Sequence, residues 1–267
     1  MFLYTTYEND LSDPKYTQEA LLSAYSLRRH TSADITLITN AYEFVAGFQD
    51  EDWFPLSHVL PCDIVVQPKE LKVRSLSMRA GRNTIYLDTD TIIMGDISRV
   101  FAFSNFQFAA VLSPGRANIT TMNRAVKAEK ARRYQFNSGV MFIRSGFCGK
   151  LGRKWARQYQ KELEKNGPDA LDQPPLHWAL RALKPRMLTL PNNYNFRSHT
   201  AGFISGACFV YHGHFFNSAR ALFTNGFSRE AADALLARFE TINSSLKNRV
   251  ILPIEPPQDS FEHDIPN

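Results

Sequence analysis

At 267 residues, with 44% hydrophobic and 21% charged residues, the chain can form one large α/β domain, and its composition excludes the low-complexity and disordered classes. No apolar run reaches the ~20 residues that span a bilayer. The start Met1-Phe2-Leu3-Tyr4-Thr5-Thr6-Tyr7 lacks the basic region of a secretory leader and reads as a buried strand, which makes the cytoplasm the default location.

Strand and helix patterns then alternate along the chain. Phe2–Thr6 is the first predicted strand. Pro14 suits the first turn of a helix capped by Asp13, and Ala20, Leu21, Ala24 and Leu27 give its apolar stripe. Further strands are predicted at Ile35–Thr39, 64–66, Thr84–Leu87, 106–112, 139–143, Met187–Leu190 and 208–211. Helices are predicted at 70–79, 150–165, 169–183 (with Pro174 and Pro175 in its first turns) and 230–246. Such alternation predicts an α/β fold, a mostly parallel sheet covered by helices on both faces. We expect one domain over 1–248 and a Pro- and acid-rich, extended tail over 249–267. Cys62, Cys148 and Cys208 are odd in number and far apart, and read as small buried thiols.

The net charge of +5 conceals an asymmetry. Between Arg116 and Lys165 lie 13 Lys/Arg and 3 Asp/Glu, a local +10, so the rest of the chain carries −5. Arg124–Arg133 and Arg153–Lys161 hold most of this charge. Basic helices with aromatic residues can lie on an anionic membrane surface, face a phosphorylated ligand, or form a solvated face. No helix-turn-helix, zinc or RNP-like pattern points to nucleic acid.

The strand Thr84-Ile85-Tyr86-Leu87 runs into Asp88-Thr89-Asp90, followed by Ile92-Ile93-Met94. Two carboxylates one residue apart at the carboxyl edge of a sheet can share one hard divalent cation, Mn²⁺ or Mg²⁺, and such a cation commonly holds a diphosphate. Asp50-Glu51-Asp52 repeats the spacing, but no apolar strand precedes it, and it reads as a loop. Other stretches suit a sugar site. In Phe136-Asn137-Ser138-Gly139-Val140, small residues let the backbone approach a ligand, and the Asn amide can donate and accept. In Tyr211-His212-Gly213-His214, residues two apart share one face of a strand. Asp172-Gln173 opens a helix, and Lys72 lies upstream of the acidic pair.

Taken in order over residues 2–215, these motifs resemble the GT-A (Rossmann-like) glycosyltransferases, and within them the retaining branch of glycogenin and the lipopolysaccharide galactosyl- and glucosyltransferases. The resemblance implies a metal-dependent transfer of sugar from a nucleotide-diphosphate sugar, UDP favoured, to a hydroxyl of a glycan, lipid-linked or small-molecule acceptor. It implies that Asp88, Asp90 and His212 hold the metal, with His214 the competing ligand. Thr5 and Tyr7 would contact the nucleoside, Lys72 the phosphate or base, and Asn137, Ser138 and Gly139 the sugar. Asp172 would bind sugar hydroxyls, and Gln173 would lie near the anomeric carbon. The chain departs from the branch after His214: Phe215-Phe216-Asn217-Ser218-Ala219-Arg220 stands where a phosphate-binding lysine is usual, leaving Arg220 or another cation to replace it.

Two other readings compete. Asp88-Thr89-Asp90-Thr91 also resembles the nucleophile motif of haloacid-dehalogenase phosphohydrolases, although no later acidic cluster of that type follows. A non-catalytic sugar- or phosphate-binding protein could use the same fold.

Overall fold

The computed structural model describes residues 1–62, 67–78, 81–103, 105–113, 135–197, 204–215, 223 and 226–247. The predicted strand at 64–66, Arg124–Arg133, Arg220 and the tail lie outside them. Among the described residues, ten strands form two sheets. The larger has the order β3-β2-β1-β4-β7-β6-β8, with β1 at Phe2–Thr6, β2 at Ile35–Thr39, β3 at His58–Pro61, β4 at Thr84–Leu87, β6 at Phe108–Ser113, β7 at Gln135–Ile143 and β8 at Met187–Leu190. Its pairings are parallel except for those of β7, which runs against both β4 and β6. The smaller sheet joins β5 (Thr91–Ile93), β10 (Val210–His212) and β9 (Phe196–Arg197) in the order β5-β10-β9.

Alternation along each strand divides the core in two. Phe2, Tyr4, Ile85, Leu87, Val140 and Phe142 face one layer, built from α1 (Lys15–Arg28), the small sheet and α6 (Arg229–Lys247). Leu3, Tyr86, Met141 and Ile143 face the other, built from α3 (Pro68–Met78), α4 (Ser145–Asn166) and α5 (Gln173–Leu183). Burial on both faces explains why the strands read as nearly unbroken apolar runs. A short α2 (Tyr42–Ala46) completes the described helices. Cys148 and Cys208 are buried and donate weakly to the Leu76 and Val210 carbonyls, as small hydrophobes do.

Several boundaries differ from expectation, each for a local reason. Pro14, not Asp13, occupies the cap of α1. The amide of Thr17 is instead taken by the Glu8 carboxylate at 2.6 Å. The helix expected over 169–183 begins only at Gln173, with proline in its first turn, and Asp169 belongs to a separate 3₁₀ turn. β7 starts four residues earlier than its apolar run suggests, because Gln135 and Phe136 pair with Ser113 and Leu112 and carry the strand through Asn-Ser-Gly, although that polar stretch reads as a turn.

α4 lies close on α3. A Cβ at Gly152 would stand 2.5 Å from the Ser77 nitrogen and 2.9 Å from the Leu76 carbonyl carbon, both rigid backbone. Gly152→Ala is therefore expected to destabilise the protein by about 1–3 kcal/mol through overpacking, read as a lower urea midpoint. An unchanged midpoint would mean that the two helices separate freely.

Candidate active site

Strand pairing assembles the site. β4 and β7 are antiparallel, with Leu87 opposite Val140, and the Asp88 amide donates to the Gly139 carbonyl at 2.7 Å. The carboxyl end of β4 thus lies beside Asn137-Ser138-Gly139. In the small sheet, His212 pairs with Thr91, and the Gly213 amide donates to the Asp90 carbonyl at 2.8 Å. His212 therefore meets the acidic pair from the opposite side.

One oxygen of Asp88 faces α3, where Lys72 Nζ is 2.8 Å away. The same ammonium lies 2.9 Å from Asp172 Oδ2 and donates to Ser138 Oγ at 3.1 Å. Ser138 in turn donates to Asp172 Oδ2 at 2.7 Å. Lys72 is only 7% exposed. Burial opposes its charge, but Asp172 and Asp88 more than offset this and hold its pKa above the usual lysine range. Burial likewise works against the Asp172 carboxylate, yet Lys72 and Ser138 keep its pKa below the ordinary value.

The second oxygen of Asp88 lies 3.9 Å from His212 Nε2, and Asp90 Oδ1 is 3.2 Å from the same nitrogen. One donor atom from each of Asp88, Asp90 and His212 falls within 4.8 Å of the others. Burial pushes the Asp90 carboxyl up, but the His212 hydrogen bond and the charges of His212 and His214 hold it at about 2. Asp88, Asp90 and Asp172 together bring three negative charges when ionised, against the single permanent positive charge of Lys72. Gly139 leaves room here: a Cβ on it would stand 2.3 Å from His212 Cε1 and 2.7 Å from Asp88 Oδ2. Two carboxylates with an imidazole form a donor set that suits Mn²⁺ and similar cations.

Of the sequence-predicted residues, Asp88, Asp90, His212, Lys72, Asn137, Ser138, Gly139, Asp172 and Gln173 come together. Lys72 is not an exposed helix lysine but the buried counter-ion of two aspartates. Asp172 holds the cap position of α5, yet its side chain makes no capping bond and serves the site instead. Gln173 Oε1 accepts from Asn137 at 3.4 Å. Thr5 stands further back: its hydroxyl shares a 3.0 Å bond with Tyr86, over whose ring Lys72 sits. Tyr7 is half-buried against the core layer that holds Leu3 and Tyr86. At the carboxyl ends of β2 and β3 is a hollow of about 300 Å³ lined by Thr39, Asn40, Tyr42, Pro61 and Cys62. His214 is exposed at 63% and turns Nδ1 towards Glu19 at 3.3 Å and Asp90 Oδ2 at 3.8 Å. Sequence reasoning missed Glu19 and Asn195. Glu19 lies on the apolar side of α1, and Asn195 follows a run of loop-forming residues.

No protein-family model matches the chain, and no curated protein sequence is similar to it. Solved structures are. The galactosyltransferase LgtC, crystallised with donor and acceptor sugar analogs, superposes with a TM-score of 0.53 at 14% identity over 93% of this chain and 96% of LgtC. Mouse xyloside xylosyltransferase 1 in its apo form gives 0.54 at 14% identity over 79% of this chain and 96% of that enzyme. The glycosyltransferase GlyE of Streptococcus pneumoniae TIGR4 gives 0.51 at 18% identity, and this chain spans 54% of its length. This is the GT-A fold. In GT-A terms, the acidic pair ends the fourth strand of the main sheet, and the histidine enters from the small sheet.

Glu19 is 3% exposed, and burial followed by the Asp90 charge raises its carboxyl to about 7 from an ordinary 4.5. The unfolded chain, with the lower pKa, releases this proton first. The contribution to stability is therefore complete below 4.5 and lost as pH rises through about 7. In EDTA, Glu19→Gln is expected to exceed the parent in stability by about 1–3 kcal/mol at pH 8 and to lose that advantage by pH 4.5. Melting curves across this range check it. Parallel pH profiles for the two proteins would contradict the assignment.

Proposed function

We propose that the protein is a metal-dependent glycosyltransferase that moves a sugar from a nucleotide-diphosphate sugar, UDP favoured, to a hydroxyl acceptor with retention of configuration. The observation that carries this reading is the convergence of Asp88, Asp90 and His212 at the sheet edge, with Asp172 one lysine away, on a glycosyltransferase fold. Asp88, Asp90 and His212 would hold Mn²⁺ or Mg²⁺. When bound there, the cation supplies charge neutralisation for a departing diphosphate. LgtC was solved with analogs of both donor and acceptor sugars, which favours a nucleotide-sugar donor and a glycan acceptor here.

The chain's own residues orient and discriminate. Lys72 clamps Asp172 in its ionised form, so Asp172 is a poor general base and a good acceptor of hydrogen bonds from sugar hydroxyls. A carboxylate unfit as a base argues against inversion. Gln173, tethered to Asn137, would lie beside the anomeric carbon. LgtC has an active-site glutamine, replaced by glutamate in one solved mutant. Tyr7 would contact the nucleoside, and Thr5, buried behind Tyr86, would support the site from within.

A thermal-shift panel of UDP, GDP, CDP and ADP, each with Mn²⁺ and with EDTA, tests the donor site, because a ligand of the native state raises its melting temperature. We expect one nucleotide, UDP first, to stabilise only with metal, and Asp90→Ala to lose both that shift and sugar transfer while its circular dichroism stays unchanged. No nucleotide shift, or normal turnover by Asp90→Ala, would remove the reading. NMR of the product's anomeric proton checks retention: an inverted product would overturn that part alone.

The acceptor can also be approached through charge. No helix among the described residues is long and apolar enough to cross a membrane. α4 buries Phe147, Cys148, Leu151, Trp155 and Tyr159, while Lys150, Lys154, Arg157, Lys161 and Lys165 follow helical spacing along its outer side, with Arg153 adjacent and Glu164 as the opposing charge. We assign this stripe to an anionic lipid surface. At ~1 kcal/mol per basic residue, the triple reversal Lys154→Glu, Arg157→Glu and Lys161→Glu should cut co-sedimentation with phosphatidylglycerol vesicles more than tenfold, and added salt should do the same to the parent. Equal binding of the parent to neutral and anionic vesicles would refute the assignment.

A further inference from the structure

We infer that Asn195 fixes the tautomer of His212 and thereby keeps the Nε2 lone pair available to a cation. The inference deepens the metal site proposed above and rests on that reading. Asn195 would be a positioning residue, since it meets the metal ligands through His212 and its other bond goes to Asn137.

The argument starts from a group whose polarity is fixed. A backbone amide can only donate. The Gly139 amide donates to Asn137 at 2.9 Å, so the amide atom of Asn137 on that side is its oxygen. The same oxygen lies 2.7 Å from an amide atom of Asn195, which must then be the NH₂ group. The carbonyl oxygen of Asn195 consequently points the other way, where it lies 2.7 Å from His212 Nδ1. A carbonyl oxygen can only accept, so Nδ1 carries a proton. Asn137, Asn195 and His212 are 7%, 3% and 6% exposed, so water offers little competition for these bonds.

The consequence appears on the other side of the ring. With Nδ1 protonated, a cation that displaces the Nε2 proton meets the Nε2 lone pair, which is aimed at Asp90 Oδ1, 3.2 Å away, and towards Asp88 Oδ2, 3.9 Å away. A lone pair facing two carboxylates is repulsive unless a positive charge lies between them. Without the relay, the imidazole would relieve the repulsion by moving its proton to Nε2 and donating to Asp90. That tautomer has no lone pair for a cation on this side. Asn195 removes the competing state, because Nδ1 without its proton would face the Asn195 oxygen. The relay also reaches the sugar side: Asn137 Nδ2 donates to Gln173 Oε1 at 3.4 Å, and Gln173 Nε2 donates to Gln135 Oε1 at 3.3 Å. Outer partners of this kind typically change metal affinity by about 10–100-fold.

The test is a Mn²⁺ titration of the full chain followed by electron paramagnetic resonance, with parent, Asn195→Ala, His212→Gln and the double variant. Asn195→Ala is expected to weaken Mn²⁺ binding by about 10–100-fold. In the His212→Gln background, the same change should alter affinity less than ~2-fold, because its effect passes through the imidazole. A merely structural role would give the same loss in both backgrounds and overturn the inference. Asn195→Asp retains an acceptor for Nδ1 but sets an oxygen against Asn137. It should keep Mn²⁺ affinity near that of the parent while melting lower, and this separates metal binding from stability. NMR of ¹⁵N-histidine-labelled, Zn²⁺-loaded protein reads the tautomer directly: a proton on Nδ1 of His212 supports the relay, and a proton on Nε2 refutes it. A parent chain that binds no Mn²⁺ would overturn the metal site itself and this inference with it. Parental binding with Asn195→Ala unaffected would overturn the inference alone.

Discussion

The site depends on β7 running against β4 in a sheet whose other described pairings away from β7 are parallel. A parallel neighbour would bring its own carboxyl end to the edge where Asp88 lies. An antiparallel one brings its amino-terminal half, and here that half is Asn137-Ser138-Gly139. Backbone pairing therefore sets polar, compact residues against a carboxylate without any long loop. It also gives Asn137 a fixed position from which its amide reaches both Asn195 and Gln173. Placing polar groups on a strand makes their geometry as rigid as the sheet, which electrostatic preorganisation requires.

The buried charges follow the same economy. An unpaired carboxylate or ammonium in this interior would be strongly disfavoured, and removing one partner of a buried pair typically costs about 3–5 kcal/mol. Lys72 satisfies two aspartates from different elements and is held over Tyr86, whose hydroxyl is shared with Thr5. α3 carries this lysine, and the close approach of α4 at Gly152 fixes the helix one turn further along. The acidic cluster on the far side of Asp88 is balanced differently. Asp90 faces the rings of two histidines, at 3.2 Å and 3.8 Å.

Much of this was legible from sequence, for identifiable reasons. β1, β2 and β4 match their predicted bounds residue for residue, because burial on both faces leaves threonine as their only polar residue type. The Asp88–Asp90 pair stood out because a buried strand leads into it, and His212 because its strand follows alternation. What escaped was information that exists only in three dimensions. Asn195 lies between a 3₁₀ turn and a two-residue strand, where no period can show, and its importance comes from the orientation of its amide. Glu19 sits among apolar neighbours on α1, where a carboxylate is chemically unexpected and spacing gives no warning. The start of β7 was hidden because Asn-Ser-Gly reads locally as a turn, and the pairing of Gln135 and Phe136 before it and of Val140 after it overrides that preference.

Asp88 deserves its place in the middle for a thermodynamic reason. Its two oxygens serve different neighbours: one meets Lys72, and through it Asp172, and the other faces His212. A carboxylate divided in this way is a coupler, since the electron density drawn to one oxygen is withheld from the other. A ligand that engages Asp172 and loosens its hold on Lys72 lets the ammonium pull harder on Asp88, and so changes how Asp88 receives a cation. Linkage makes the exchange reciprocal: the factor by which such a ligand alters cation affinity is the factor by which the cation alters affinity for the ligand. The two halves of the site then communicate through a single side chain, with no conformational change needed to carry the message.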